Sequence, residues 1–182
     1  MLKNAIASVE TKYIASLTLF HGARDAEFMD AQFRLWRSHY DAKTKVWLDE
    51  ELSLAHGASY LAHLDGSGAS YVKRSEAALS NTAAAGTSRA AMHAFCQALH
   101  SGVDPYSGGP PQLVGLWRKG GARQFGFCWH GKSYVGGMEL PQAADHTIVD
   151  WFNHLFERCD GRTGRKLKTA KSHRSSLRPR LP

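Results

Sequence analysis

Long apolar runs and cysteine motifs are both missing from this sequence. No stretch approaches the roughly 18 apolar residues of a membrane-spanning helix, and the N-terminal segment lacks the continuous apolar core of a signal peptide. The three cysteines, Cys96, Cys128 and Cys159, are far apart without CxxC or CxxH spacing, so neither a disulfide framework nor a zinc site is indicated. Cys128 lies between Phe127 and Trp129, which favours a packed thiol over a reactive one. We therefore expect a cytoplasmic protein with no membrane contact.

Several catalytic and metal-binding motifs are absent as well. The sequence contains no HExxH, no GxSxG and no Walker lysine. His56 and His63 are seven residues apart, as are His93 and His100. That spacing places two side chains of one helical face about 10.5 Å apart along the axis, too far to share one ion. We predict no metal and no cofactor, with histidines at the surface or packed.

Basic residues are in excess, but only at one end of the chain. Lys and Arg number 23 against 16 Asp and Glu, for a formal charge of +7. Eight of the basic residues and no acidic ones fall within 161–182, so residues 1–160 hold 15 basic against 16 acidic side chains. A basic segment without acidic or aromatic residues is typical of a disordered arm. We predict a single domain over 1–160 and a disordered basic tail over 161–182, which is either solvated, with weak polyanion contact, or binds RNA.

Hydrophobic periodicity predicts an α/β protein whose helices and strands are clustered, which argues against a doubly wound parallel sheet. One predicted helix contains Met29, Phe33, Trp36 and Tyr40, which recur at steps of four, three and four. The predicted elements are a strand over 12–20, helices over 25–40, 46–64, 69–79 and 87–102, strands over 112–117, 123–129 and 133–140, and a helix over 147–159.

Residues near the ends of these elements support the assignments. The acidic run at 49–51 falls in the early turns of the second helix, where negative charge suits the helix dipole. Thr87 or Ser88 is placed to cap the fourth helix. Residues 119–121 (Lys-Gly-Gly) and 130–132 (His-Gly-Lys) have the length and chemistry of hairpin turns, which predicts an antiparallel meander.

Two short glycine-containing motifs carry the candidate chemistry. Residues 66–69 (Gly-Ser-Gly-Ala) precede a predicted helix, where free amides bind an anion or the glycines simply make a turn. Residues 104–109 (Asp-Pro-Tyr-Ser-Gly-Gly) follow the next helix and cannot be helical, because proline lacks an amide donor and glycine favours turns.

Together with residues 20–26 (Phe-His-Gly-Ala-Arg-Asp-Ala), these motifs resemble the proteasome-type N-terminal nucleophile (Ntn) hydrolases. In that family a Gly-Ser-Gly turn opens one helix of a layered αββα helix–sheet sandwich. A second helix ends in an Asp-x-x-Ser-Gly-Gly turn beside the catalytic centre. The resemblance implies that fold, threonine-peptidase chemistry and assembly with homologous subunits. It also implies that Ser67, Asp104 and Ser107 support a catalytic N-terminal threonine by hydrogen bonding, since a terminal hydroxyl needs a partner to take its proton.

The N-terminal part departs from the family pattern. The family's nucleophilic threonine begins a strand hairpin that supplies an aspartate and a lysine, yet only about twenty residues precede the matching segment here. Thr11 and Thr18 are the candidate nucleophiles, and neither is followed by that pattern. We therefore expect a relative that is incomplete at its N-terminus and inactive as it stands. The alternative is an RNA- or ribosome-associated protein that uses the basic tail; whether the chain is an enzyme is left open.

Overall fold

The computed structural model describes residues 16–26, 31–54 and 59–171. Contacts divide the chain into two compact units, the first combining Met1–Leu54 with Leu116–Gly121 and the second combining Ala55–Gly115 with Ala122–Pro182. Helices and sheets are both present, so the predicted α/β class is confirmed. The finer expectations, one domain over 1–160 and the specific Ntn sandwich, stay predictions.

The first unit is an antiparallel three-stranded sheet with the strands in sequence order. Its strands are β1 (Ser16–Arg24), β2 (Phe33–Asp41) and β3 (Val46–Leu52). The strand predicted over 12–20 is confirmed from residue 16 onward, and residues 12–15 lie outside the described part. The helices predicted over 25–40 and 46–64 are wrong, because β2 and β3 take their place.

The aromatic spacing that predicted a helix also fits a strand. Trp36 and Tyr40 are four residues apart, and four is even, so both also share one face of a strand, where side chains alternate with a period of two. Ser38 lies between them on that face, and Ser38 and Tyr40 are both buried. A turn at residues 42–45, with Lys45 at φ 56°, returns the chain into β3.

The acidic run of β3 finds its partners across the sheet instead of at a helix N-terminus. Ser38 and Asp49 are opposite each other in the register, and the Ser38 hydroxyl donates to Asp49 Oδ1 at 2.6 Å. Arg37 and Glu50 are the next pair, and their side chains form an exposed ion pair. Cross-strand polar pairs of this kind fix the register more than they stabilise the fold.

The second unit contains two packed helices, α1 (Ala69–Leu79) and α2 (Ser88–Ser101). The helices predicted over 69–79 and 87–102 are therefore confirmed. Val72 of α1 and the small residues Ala90 and Ala94 of α2 are buried. Among the described residues, no helix has both the length and the apolar character needed to cross a membrane.

A mixed sheet completes the second unit. Its strands are β4 (Leu113–Gly115), β5 (Arg123–Trp129), β6 (Lys132–Val135), β7 (Met138–Glu139), β8 (Trp151–Phe152) and β9 (Arg158–Cys159). They lie in the order β7-β6-β5-β8-β9, with β4 also paired to β5. Only the β5–β8 pair is parallel among these strands. The antiparallel meander predicted from residue 112 is confirmed, although a turn at residues 136–137 divides its third strand into β6 and β7.

The helix predicted over 147–159 is wrong, because this segment forms β8, a tight turn and β9. Asn153 makes the turn: its Oδ1 accepts hydrogen bonds from the backbone N–H groups of Leu155 and Glu157, each at 3.0 Å. Phe156 takes a positive φ of 54° within this turn. A side-chain amide that satisfies two backbone donors competes with helical hydrogen bonding and favours a turn.

The start of the predicted basic tail belongs to the second unit. The Gly161 carbonyl lies 3.0 Å from His146 Nδ1, Lys166 forms an isolated bridge with Cys159, and Lys166 Nζ lies 2.8 Å from Glu157 Oε1. Residues 161–171 therefore differ from the disordered arm that their charge predicted. Residues 172–182 lie outside the described part of the chain.

Candidate functional site

A hydrogen-bonded cluster in the second unit contains all three residues that the sequence singled out. Ser67 Oγ donates to Asp104 Oδ2 at 2.8 Å, and Ser107 Oγ donates to the same oxygen at 2.5 Å. The other carboxylate oxygen, Oδ1, accepts from the backbone N–H of Tyr106 at 3.2 Å. The structure thus brings together Ser67, Asp104 and Ser107, which lie in two separate motifs.

Glycines on both sides allow the two motifs to meet. Gly66 has a φ of 89° and bends the chain into α1, while Gly102, at φ 61°, ends α2 shortly before Asp104. A Cβ built on Gly68 would lie 3.1 Å from Asp104 Oδ2 and 3.1 Å from Ser107 Oγ. Contacts that short are tighter than side chains normally tolerate, so the absence of a side chain at position 68 keeps the cluster closed.

The carboxyl group of Asp104 is held in its charged form. The hydrogen bond from Ser107, followed by that from Ser67, lowers the pKa of Asp104, although its burial opposes ionisation. A carboxylate with a lowered pKa is a weak general base. The cluster therefore orients the two hydroxyl groups.

A small cavity of about 80 Å³ adjoins the cluster. Its polar lining residues are Asp65, Asp104 and Ser107, and the remaining lining is largely apolar. This volume corresponds to roughly two or three water molecules, which suits a small group and not a peptide substrate. Among the described residues that line it, none is a threonine.

The described residues of this cluster include neither candidate threonine. Thr18 lies in β1 of the first unit, opposite His39, and its Oγ1 is 3.2 Å from His39 Nδ1. Because its backbone is paired within a sheet, Thr18 could become an N-terminal residue only if the strand were cut. Thr11 lies outside the described residues.

A second, larger cavity of about 790 Å³ lies in the second unit, and the sequence did not predict it. Its lining includes four histidines, from α2, the β5–β6 turn and the β8–β9 turn: His93, His100, His130 and His154. The seven-residue spacing of His93 and His100 predicted that they share one helical face. The sequence could not predict that His130 and His154 lie near them, because tertiary structure brings these residues together. Lys132 and Arg162 are its basic lining residues, of which Lys132 is ion-paired with Glu139, and the described lining residues include no Asp or Glu.

The histidines of this cavity meet in pairs. His100 Nδ1 and His130 Nε2 are 3.3 Å apart, and the rings of His93 and His154 have centroids 6.0 Å apart. Within residues 16–26, 31–54 and 59–171, no group of three or more His, Cys, Asp or Glu side chains could hold a metal ion. Burial, followed by the proximity of His154 and of Arg89, lowers the pKa of His93 and so favours its neutral form.

In comparisons with known proteins, the chain matches no family model, no curated protein and no solved structure. Any functional assignment therefore depends on the residues themselves, and the cluster around Asp104 is the site that the sequence and the structure have in common.

Proposed function

We propose that this chain is a non-catalytic relative of the proteasome-type Ntn hydrolases that assembles with homologous subunits. The observation that carries this proposal is the donation of two serine hydroxyls, from Ser67 and Ser107, to one carboxylate oxygen of Asp104. The resemblance implies hydrogen-bonding support at these three positions. Finding such a cluster between two distant motifs supports the resemblance, although it does not supply a nucleophile.

The chemistry of the cluster favours the non-catalytic form. Both serine hydroxyl hydrogens point to Asp104, whose lowered pKa makes it a poor acceptor of a proton from a nucleophile. The neighbouring cavity is too small for a peptide. We infer that the cluster now fixes the start of α1 against the turn that follows α2.

Apolar side chains flank the cluster on the surface and support assembly with other subunits. Val103 and Tyr106 are 53% and 87% exposed, and they lie on either side of Asp104 in the chain. Exposed apolar residues that gather in one region mark protein contacts more often than scattered ones do. We expect this surface to be buried when subunits assemble.

A peptide epoxyketone that reacts with N-terminal threonines tests the non-catalytic assignment. We expect no labelling of the wild-type chain, and N-terminal sequencing should find neither Thr11 nor Thr18 at a new N-terminus. Matched Thr11→Ala and Thr18→Ala variants identify the site of any reaction. Labelling that is lost in one of these variants would show an active peptidase and overturn the non-catalytic assignment.

Sedimentation over a range of concentrations tests the assembly. We expect the wild-type chain to self-associate, and Tyr106→Ser to weaken association at least tenfold without lowering the unfolding midpoint. Met138→Ser is the matched control, because Met138 is also a large apolar side chain, 74% exposed, in another part of the same unit. A chain that stays monomeric, or one weakened equally by both variants, would contradict the proposed contact surface.

Polyanion binding is a second candidate function, favoured by exposed cations between residues 162 and 171. Arg165, Lys168 and Lys171 are exposed, and phosphate contacts made by such residues give binding that weakens steeply with salt. Replacing all three with Gln should weaken RNA binding and flatten its salt dependence, with the fold retained. This substitution is a cleaner test than deletion of 161–182, which would also remove residues that pack.

A further inference from the structure

The thiols of Cys128 and Cys159 lie together in the second unit, although they are far apart in the sequence. Their Sγ atoms are 3.6 Å apart, and Cys159 donates to Cys128. Cys128 is near the end of β5 and Cys159 is in β9, so the strand that ends at Cys159, where the sequence predicted a helix, creates this pair. A shift of about 1.6 Å would bring the sulfur atoms to the bonding distance of a disulfide, roughly 2.05 Å.

The two thiols differ in their access to solvent. Cys128 is half-buried and lines the 790 Å³ cavity, whereas Cys159 is buried. A molecule in the cavity therefore meets Cys128 first, and Cys159 lies behind it. The cavity volume is in the range that holds a small organic ligand. Arg162 at its wall favours an anionic one, whereas Lys132 is ion-paired with Glu139.

The electrostatic environment also differs between the two sulfur atoms. The hydrogen bond from Cys159 lowers the pKa of Cys128, although burial opposes this effect. The same hydrogen bond, together with burial, raises the pKa of Cys159. Cys96, the third cysteine, also lines the cavity, but burial raises its pKa to about 12 and keeps it protonated.

We propose that Cys128 and Cys159 form a thiol–disulfide exchange site whose substrate is a small disulfide carrying carboxylate groups. The Cys128 thiolate attacks one sulfur of the substrate disulfide, which forms a mixed disulfide and releases one thiolate. Cys159 then loses its proton, and its sulfur attacks Cys128 Sγ to form the Cys128–Cys159 disulfide and release the second thiolate. The protein pair is oxidised by two electrons, and the substrate is reduced to two thiols, which take up the protons.

The reaction with dithiodipropionate, a dicarboxylate disulfide, tests this site by intact-mass measurement and peptide mapping. The reduced wild-type chain should lose the mass of two hydrogens, carry no adduct, and yield a peptide linking Cys128 to Cys159. Cys159→Ser should stop at the mixed disulfide on Cys128, and Cys128→Ser should react much more slowly. Cys96→Ser is the matched control and should behave as the wild type does.

The charge of the reagent tests the role of the cavity. Cystamine is a disulfide of similar size that carries two ammonium groups, and we expect it to react about tenfold more slowly than the dicarboxylate at low salt. Arg162→Gln should reduce that ratio, and so should added salt. A stable adduct on the wild-type chain, a link involving Cys96, or equal rates for the two reagents would overturn the proposal. The peptide that links Cys128 to Cys159 in the wild-type chain tests the proposal even if the Cys159→Ser variant fails to fold.

Discussion

Gly126 of β5 lies directly against the indole ring of Trp151 in β8, so closely that a Cβ at position 126 would overlap the ring carbons. These two residues are paired in the parallel register of the sheet. Trp151 is buried, and its Nε1 donates to the His146 carbonyl at 2.6 Å. The indole is therefore held on its polar edge and has little freedom to move away.

Gly126→Ala should destabilise the protein, because the added methyl group has no space beside the fixed indole. Overpacking of this kind costs about 1–3 kcal/mol of the free energy of unfolding. Urea unfolding measures the change. The matched control is Gly121→Ala, since a Cβ at position 121 meets nothing within 4 Å. Equal unfolding midpoints for the two variants would show that the ring moves aside.

Thr87→Ala should also destabilise the protein, because Thr87 caps α2. Its buried Oγ1 accepts a hydrogen bond from Ala90 N at 3.2 Å and donates one to the Ala84 carbonyl at 2.6 Å. Loss of a capping hydroxyl costs about 1 kcal/mol. Thr87→Ser keeps the hydroxyl and should retain most of that stability in the same urea titration. An alanine variant as stable as the serine variant would contradict the capping role.

Ser107→Ala should raise the pKa of Asp104, because the strongest contribution to the lowered pKa is the hydrogen bond from Ser107. Since the folded pKa lies below the unfolded value, this carboxylate stabilises the fold above about pH 4 and loses that effect as pH falls through the folded pKa. NMR titration of the Asp104 carboxyl carbon measures the shift. Ser101→Ala, which removes a hydroxyl bonded to the Ala98 carbonyl, is the control and should leave this titration unchanged.

The sequence predicted the helical pair and the two turns that contain Ser67 and Asp104, because the signals for helix starts and turns are local. Thr87 indicates the start of a helix, and the Gly-Ser-Gly and Asp-Pro segments indicate turns, independently of tertiary contacts. The role of the cluster was suggested by resemblance, but the hydrogen bonds between Ser67, Asp104 and Ser107 required the fold. Neither the charge nor the spacing of these residues specifies that two hydroxyls share one carboxylate oxygen.

The sequence predicted β1 of the first unit but not β2, because a four-residue aromatic spacing fits both a helical face and a strand face. Cross-strand partners decide between them, and Ser38 and Asp49, which are eleven residues apart in the sequence, pair only because the turn at residues 42–45 brings β3 back along β2. The contact between Cys128 and Cys159 could not be predicted either, because it also depends on long-range strand pairing. Its residues are 31 positions apart, and short-range spacing rules describe no such pair.

Lys166→Met should destabilise the protein, although the sequence placed Lys166 in a disordered tail. Burial opposes ionisation of Glu157, yet the hydrogen bond from Lys166, at 2.8 Å, and contributions from Asn153 and Arg89 lower its pKa. We expect a loss of about 1 kcal/mol at neutral pH, because the lysine end of this ion pair is partly exposed to solvent.

The pH dependence of that loss identifies the ion pair as its cause. Because the folded pKa of Glu157 is lowered, its stabilising effect is present above about pH 4.5 and disappears as pH falls through the folded pKa. The difference between wild type and Lys166→Met should therefore shrink in acid, as measured by urea unfolding at several pH values. Lys168→Met, at an exposed position in the same segment, should match the wild type throughout.

Two truncated chains test the packing of residues 161–171. A chain ending at Asp160 should lose at least as much stability as Lys166→Met does, whereas a chain ending at Lys171 retains the ion pair. Equal stability of these two truncated chains would contradict the packing of residues 161–171.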